Sequence, residues 1–180
     1  MSGSTSADVA AVVLAAGASS RFGSPKQALL LEPVLERVRR SSVGEIVVVL
    51  GAHEVETTAR VVRCPEWERG PGASLRCGLA ALDAAAAIVV LADGPELAPE
   101  AVDRVIAAWR AGGGPIFAAS YGGGRGHPVC LARRVWHLVP DPGARSLPAE
   151  LVPCDDLGSP GDVDSADDLG GRFAPPPTEL

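Results

Sequence analysis

The stretch from Leu14 to Lys26 combines the residue types that bind an anion. It reads LAAGASSRFGSPK, and the apolar run 9–14 that leads into it has the length and β-branched content of a buried strand. Small residues follow this run, and two cations, Arg21 and Lys26, come after them. Short side chains let backbone N–H groups approach a ligand, and the cations neutralise its charge. The stretch therefore predicts a loop that binds a phosphate chain.

Two common phosphate loops have a different spacing. A Walker A loop requires Gly-x-x-x-x-Gly-Lys-Ser/Thr, whereas here five residues separate Gly17 from Gly23 and no Gly-Lys pair follows. The dinucleotide fingerprint Gly-x-Gly-x-x-Gly does not occur after this first predicted strand either. The spacing therefore favours neither an ordinary NTPase nor a nicotinamide-dependent enzyme.

Asp93 is a candidate metal ligand because it follows a second strongly apolar run, 86–92. Magnesium takes oxygen ligands and is usually held by one or two carboxylates together with substrate phosphates. The alternative is that Asp93 caps the turn that leads into Pro95. His127 follows the glycine-rich run 122–126, which could wrap a substrate so that His127 touches its phosphate or ring system. A purely structural hydrogen bond is the alternative for His127.

Apolar runs alternate with helical patterns along the chain. Strands are predicted at 9–14, 45–51, 59–64, 86–92, 115–121 and 151–154, and helices at 32–40, 54–58, 73–84, 99–110 and 133–139. This alternation indicates a three-layer α/β/α Rossmann-like fold with a mostly parallel sheet. Such sheets bind ligands at the carboxyl ends of the strands, where the strand order reverses. With the order 3-2-1-4, the loop after the first strand and Asp93 after the fourth would face one ligand.

Composition excludes several classes of protein. The 180 residues predict one domain at 8–170, between a disordered tail at 1–7 and a Pro-rich tail at 171–180. The net charge of −6 and the lack of a basic run argue against a nucleic-acid partner. No apolar stretch is long enough for a membrane span or a signal core, which predicts a cytoplasmic protein. Four cysteines without a C-x-x-C pair predict isolated thiols rather than a zinc or redox site.

The predicted phosphate loop resembles the signature of the molybdopterin nucleotidyltransferases, L-x-x-G-x-S-x-R-x-G-x-x-K. All fixed positions are met, by Leu14, Gly17, Ser19, Arg21, Gly23 and Lys26. Four further segments resemble elements of that family in the same order, namely 70–79, 93–95, 125–129 and 161–169. The resemblance extends over roughly residues 8 to 170, and the ordered set is more specific than any single motif.

The resemblance implies a magnesium-dependent nucleotidyltransferase. The reaction would move CMP from CTP onto the phosphate of molybdopterin and release pyrophosphate, and a molybdoenzyme would be a possible recipient of the product. Arg21, Lys26 and Asp93 would be catalytic, Asp93 and Asp164 would hold Mg²⁺, and His127 would contact the acceptor. The implied nucleotide contacts are Leu14, Ala15, Ala16, Gly17, Ser19, Arg21, Lys26, Gly72 and Ser74.

The choice of base depends on Ala16. The form L-A-A-G, as in this chain, resembles the cytidylyltransferases, whereas the guanylyltransferases usually show L-A-G-G. One methyl group of difference is worth about 1–3 kcal/mol, which is a preference rather than an absolute barrier. Two alternatives stay open. One is a transferase of the same fold that uses GTP or another acceptor, and the other is a non-catalytic protein that carries the pterin cofactor.

Overall fold

The computed structural model describes residues 8–17 and 26–161, with only the backbone described for residues 26–28. The strands are β1 (Val9–Ala15), β2 (Ile46–Leu50), β3 (Arg60–Arg63), β4 (Ala86–Leu91), β5 (Ile116–Tyr121), β6 (Gly124–Ala132) and β7 (Glu150–Pro153). The α-helices are α1 (Lys26–Arg39), α2 (Pro71–Ala80) and α3 (Pro99–Ala111). Short 3-10 helices cover Trp67–Arg69, Arg133–Leu138, Ala144–Ser146 and Asp155–Leu157. The predicted tails at 1–7 and 171–180 lie outside the described residues, so the predicted domain limits stay predictions.

The seven strands form one sheet in the order β3-β2-β1-β4-β6-β5-β7. Neighbouring strands from β3 to β4 are parallel, and β7 is parallel to β5. Strand β6 is antiparallel to both β4 and β5, so the sheet is mixed but mostly parallel. The predicted order 3-2-1-4 is confirmed. The chain moves outward from β1 to β3 and then returns to place β4 on the other side of β1, which creates the switch point.

Alternate residues of each central strand face opposite layers. Val9, Ala11 and Val13 of β1 belong to a core that also contains the buried side chains of α1 and α3. Ala10 and Val12 belong to a second core, shared with α2 and the segment 133–147. Because both faces of the sheet are covered, its central strands are apolar throughout, and the predicted three-layer arrangement is confirmed.

Helix α1 begins six residues before the position that the sequence predicts, at Lys26 rather than Glu32. Pro33 was expected in the first turn but lies inside the helix, where it removes one backbone hydrogen bond. An apolar stripe compensates, because its side chains are buried against the sheet along the whole helix: Leu30, Leu31, Val34, Leu35 and Val38. As a result, the segment that follows the predicted phosphate loop enters a helix at once.

The predicted helix at 54–58 does not form. Its threonines bond to other groups instead. The Thr57 hydroxyl donates to a carboxylate oxygen of Glu32 at 2.7 Å and accepts from the N–H of Ala59 at 3.2 Å. Threonine side chains that bond nearby backbone in this way compete with helix formation. The segment therefore fastens α1 to the start of β3.

The predicted isolation of all four cysteines is wrong for two of them. Cys64, directly after β3, and Cys77, on α2, are joined in a disulfide with their Cα atoms 5.8 Å apart. The fold brings the pair together because α2 packs beside the end of β3, which spacing in the sequence does not reveal. Cys130 and Cys154 are free and buried, as predicted.

Helix α2 begins two residues earlier than predicted, at Pro71, and the glycine-rich run 122–126 belongs in part to β6.

Among the described residues, no helix combines the length and the apolar character that crossing a membrane requires.

Candidate active site

A cleft of about 460 Å³ opens at the carboxyl ends of β1 and β4. Leu14 of β1 and Leu91 of β4 form its floor, and the start of α2 forms one wall. Tyr121 and His127 of the β5–β6 hairpin also line it, as does the segment that contains Arg145. The cleft therefore lies at the switch point of the sheet, the position at which ligands bind in open α/β folds.

The residues that follow Leu14 leave the floor of the cleft. Ala15 and Ala16 are buried, with 4% and 6% of their surface exposed. The Ala16 carbonyl accepts a hydrogen bond from the N–H of Ala52 at 3.3 Å, which ties the end of β1 to the segment after β2. Leu14 and His127 line the cleft, whereas Ala15 and Ala16 do not, and the predicted ligand contacts of all four stay predictions.

Asp93 and His127 come from neighbouring strands of the sheet and lie within electrostatic range of each other. Asp93 is half-buried in the turn directly after β4, and His127 lies on β6. Burial lowers the pKa of His127 to about 4; the Asp93 carboxylate opposes this shift, while Arg145 and Arg125 add to it. The imidazole is therefore uncharged at neutral pH. It can donate one hydrogen bond and accept another, but it brings no positive charge to a ligand.

The hydroxyl of Tyr121 fixes the backbone beside this histidine. It donates to the carbonyl of His127 at 2.9 Å, across the β5–β6 hairpin. Burial raises the pKa of Tyr121 to about 12, so the phenol keeps its proton under ordinary conditions. This hydrogen bond between Tyr121 and His127 fixes the part of the β5–β6 hairpin that lines the cleft.

The first turn of α2 packs against the segment that follows the 3-10 helix Arg133–Leu138. The N–H of Gly72 donates to the carbonyl of Asp141 at 2.8 Å. A Cβ atom on Gly72 would lie 1.6 Å from the carbonyl oxygen of Pro140, so only glycine fits here. Ser74, one half-turn on, is 3% exposed. Pro71 and Leu75, rather than these two, face the cleft, and the predicted nucleotide contacts of Gly72 and Ser74 stay predictions.

Replacing Gly72 with alanine is expected to lower the free energy of unfolding by about 1–3 kcal/mol, the usual range for overpacking. The backbone of Pro140 must move to admit the methyl group, and urea unfolding measures the cost. Gly124→Ala is the matched control, because a Cβ there would be 3.5 Å from the nearest atom, an ordinary contact. Equal unfolding midpoints for Gly72→Ala and the wild type would contradict this close packing.

Arg76 of α2 is ion-paired. Its guanidinium donates to the Asp141 carboxylate at 2.5 Å and to the carbonyl of Val139 at 2.8 Å. Asp141 also pairs with Arg69 at 3.2 Å. The Arg76 hydrogen bond, followed by the charge of Arg69, holds the pKa of Asp141 below its usual value. These contacts join α2 to the segment that forms the cleft wall.

Sequence reasoning missed Arg145, which lines the cleft from the 3-10 turn Ala144–Ser146. Nothing in the surrounding DPGARSLP motif indicates chemistry, since an arginine between small residues fits any surface turn. Only the fold brings this turn beside β6. Arg125 fastens it there, donating to the carbonyls of Ala144 at 2.9 Å and Leu147 at 2.5 Å.

Several predicted site residues lie outside the described part of the chain. These are Ser19, Arg21, Gly23 and Asp164. Lys26 is the first residue of α1, but its side chain is not described. Ser19, Arg21 and Gly23 belong to the stretch between β1 and the amino terminus of α1. The amino terminus of a helix has N–H groups without an intrahelical partner and a positive dipole end, which suit a phosphate.

The sequence profile of the MobA-like NTP transferase domain matches residues 11–149. This span contains the cleft floor, Asp93, His127 and Arg145. Among curated proteins, none matches the chain significantly.

Solved structures give the same answer for the fold. Rv0371c from Mycobacterium tuberculosis H37Rv superposes with a TM-score of 0.76 at 29% identity, covering 91% of this chain and 96% of that one. The complex of Rv0371c with manganese superposes with a TM-score of 0.67 at 26% identity, covering 89% of this chain and 95% of that one. CMP:2-keto-3-deoxy-manno-octonic acid synthetase complexed with CTP superposes with a TM-score of 0.71 at 15% identity, covering 90% of this chain and 95% of that one. At this identity the similarity concerns the fold alone.

Proposed function

Since the chain belongs to the family of MobA-like NTP transferase domains, we propose that it moves a cytidylyl group from CTP to the phosphate of molybdopterin, with release of pyrophosphate. Its family is one of nucleotidyltransferases, and CTP and molybdopterin are the proposed nucleotide and acceptor. The observation that carries the proposal is the cleft at the β1–β4 switch point, with the signature loop leaving its floor at Leu14. A molybdoenzyme that receives the product is the partner that this reaction implies.

The triphosphate is assigned to the signature loop and the amino terminus of α1. Backbone N–H groups near Gly17 and Ser19 would bind the β- and γ-phosphates, and Arg21 and Lys26 would neutralise them and the leaving pyrophosphate. The early start of α1 at Lys26 supports this assignment, because it places a helix terminus directly at the end of the loop. An α1 that began at Glu32 would have left that terminus six residues away.

At the end of β4, the described residues offer one carboxylate, Asp93, to a divalent metal ion. The described residues contain no group of three or more His, Cys, Asp or Glu side chains that could hold a metal ion by themselves. Magnesium does not require one, since one or two carboxylates and the substrate phosphates suffice. Asp93 would supply one carboxylate and Asp164 a second. The related Rv0371c forms a complex with manganese, which supports a divalent ion here.

The residues of the chain would act by positioning and by neutralising charge. The attacking phosphate monoester is already an anion near neutral pH, because its second pKa is about 6. No general base is needed, and the uncharged His127 suits a hydrogen-bonding role toward the acceptor. A bound metal ion would reduce the negative charge on the α-phosphate and so favour attack. Asp93 would hold that ion, while the loop cations stabilise the departing pyrophosphate.

A thermal-shift panel of nucleotides tests the nucleotide half of the proposal. With magnesium present, CTP is expected to raise the melting temperature more than GTP, ATP or UTP at equal concentration. A ligand that binds the folded state more tightly stabilises it more. Chelation of the divalent ion is expected to reduce the shift. Greater stabilisation by GTP would count against CTP as the substrate.

Replacing Ala16 with glycine is expected to narrow the preference for CTP over GTP by about 10- to 200-fold, which corresponds to one methyl group. Ala16 is 6% exposed, and its carbonyl accepts from the Ala52 N–H, a backbone contact that glycine keeps, so the change removes only the methyl group. The ratio of kcat/KM for the two nucleotides measures the effect. An unchanged ratio would mean that Ala16 does not select the base.

A further inference from the structure

Arg145 is a cation of the cleft wall whose guanidinium is available to a ligand. Its side chain is exposed and faces the cleft, and it makes no hydrogen bond or ion pair with the residues that the structure describes. The other arginines of this region are engaged: Arg76 pairs with Asp141, and Arg125 donates to backbone carbonyls. A guanidinium with free donors in a cleft suits a phosphate or carboxylate, which it can bind through two parallel hydrogen bonds.

The backbone beneath Arg145 is held firmly, so the guanidinium is presented from a fixed base. Gly143 adopts a φ of +104°, a conformation that favours glycine, and its N–H donates to the carbonyl of Pro140 at 2.9 Å. Ala144 is 8% exposed and accepts from Arg125 at 2.9 Å. A ligand would therefore have to order only the Arg145 side chain, which keeps the entropic cost of binding small.

The surrounding charges favour an anion at this wall. Arg145 and Arg125 lie close enough that Arg145, after burial, contributes to a lowered pKa of Arg125. Neither guanidinium bonds to a carboxylate in the described part of the chain. Two cations side by side repel each other, and an anionic ligand relieves this repulsion.

The location of Arg145 separates it from the triphosphate site. The signature loop leaves β1, whereas the Arg145 turn lies beside β6, and β4 separates these two strands in the sheet. Asp93, at the end of β4, lies between them in this order. A transfer reaction must bring two anionic reactants together, so each of them needs its own positive charge.

We propose that Arg145 binds the phosphate monoester of the acceptor and so aligns it for attack on the nucleotide. This assignment rests on the proposed transfer function and adds to it the residue that recognises the acceptor. It also gives the segment 141–147, which forms part of the cleft wall, a role in binding the acceptor.

Titration of molybdopterin without nucleotide tests the assignment independently of turnover. The full-length Arg145→Ala variant is expected to bind molybdopterin about 10- to 100-fold more weakly than the wild type, as for loss of a charged hydrogen-bond partner. Arg145→Lys should fall between the two, because it keeps the charge but loses the paired geometry. Arg134→Ala is the matched control, since Arg134 is also an exposed arginine but does not line the cleft.

Steady-state kinetics separate the two substrates. The KM for molybdopterin is expected to rise in Arg145→Ala while the KM for CTP stays unchanged. Equal affinity of the variant and the wild type for molybdopterin, or an effect on CTP alone, would overturn the assignment. If the wild type binds molybdopterin but releases no pyrophosphate, the proposed transfer fails, and the titration alone decides the role of Arg145.

Discussion

Replacing Asp93 with asparagine is expected to slow pyrophosphate release from CTP about 10²- to 10³-fold, the usual cost of removing one group that stabilises charge in the transition state. Asparagine keeps the size of the side chain but removes the negative charge that would hold the metal ion. The variant should fold normally, because Asp93 is half-buried in a turn rather than in the core. Initial rates at saturating CTP and molybdopterin and at several magnesium concentrations measure the loss.

Glu96→Gln is the matched control for Asp93→Asn. Glu96 is an exposed carboxylate three residues further along the same turn region and does not line the cleft. Its variant is expected to keep the wild-type rate. Full turnover by Asp93→Asn in magnesium, with the same melting temperature as the wild type, would remove Asp93 from the account of catalysis.

Replacing Lys26 with glutamine is expected to lower the rate of transfer about 10³-fold, in the range found for groups that neutralise a transferring phosphate. Lys26 is the first residue of α1, at the end of the signature loop. Its charge would offset that of the leaving pyrophosphate, so the loss should fall mainly on kcat. Arg40→Gln, at the other end of the same helix region, removes an exposed cation away from the cleft and is the control.

Chemical labelling gives a second test of Lys26 that does not require turnover. Lys26 is the only lysine in the sequence, so an amine-reactive reagent modifies this side chain and, apart from it, only the terminal amine. CTP with magnesium is expected to protect Lys26, as read by peptide mass spectrometry, whereas the terminal amine should react at the same rate. Equal labelling of Lys26 with and without CTP would contradict its assignment to the phosphates.

The central strands of the sheet could be predicted because each is encoded by a continuous apolar run in the sequence. The apolar runs of β1 and β4 are buried on both faces, and a strand buried on both faces has a readable pattern. Because ligands bind at the switch point of such a sheet, this pattern predicts a cleft between these strands. It also predicts that Leu14 and Asp93, about eighty residues apart in the sequence, lie at one edge of the sheet.

The rest depends on contacts between distant segments. Pro33 predicts a helix start, but burial of the residues before it extends α1 back to Lys26. The Cys64–Cys77 disulfide requires knowledge of where α2 packs. The position of Arg145 depends on the hydrogen bonds that Arg125 makes across the sheet edge. In each case the local preference is weak and tertiary packing decides the outcome.

Pyrophosphate release from CTP, measured with and without molybdopterin, tests the central claim most directly. The purified chain with magnesium is expected to release pyrophosphate only when both CTP and molybdopterin are present, with one cytidylylated pterin formed for each pyrophosphate. GTP in place of CTP should give a lower kcat/KM. Binding of molybdopterin without any release of pyrophosphate, with every nucleotide tried, would contradict the claim and indicate a protein that only carries the cofactor.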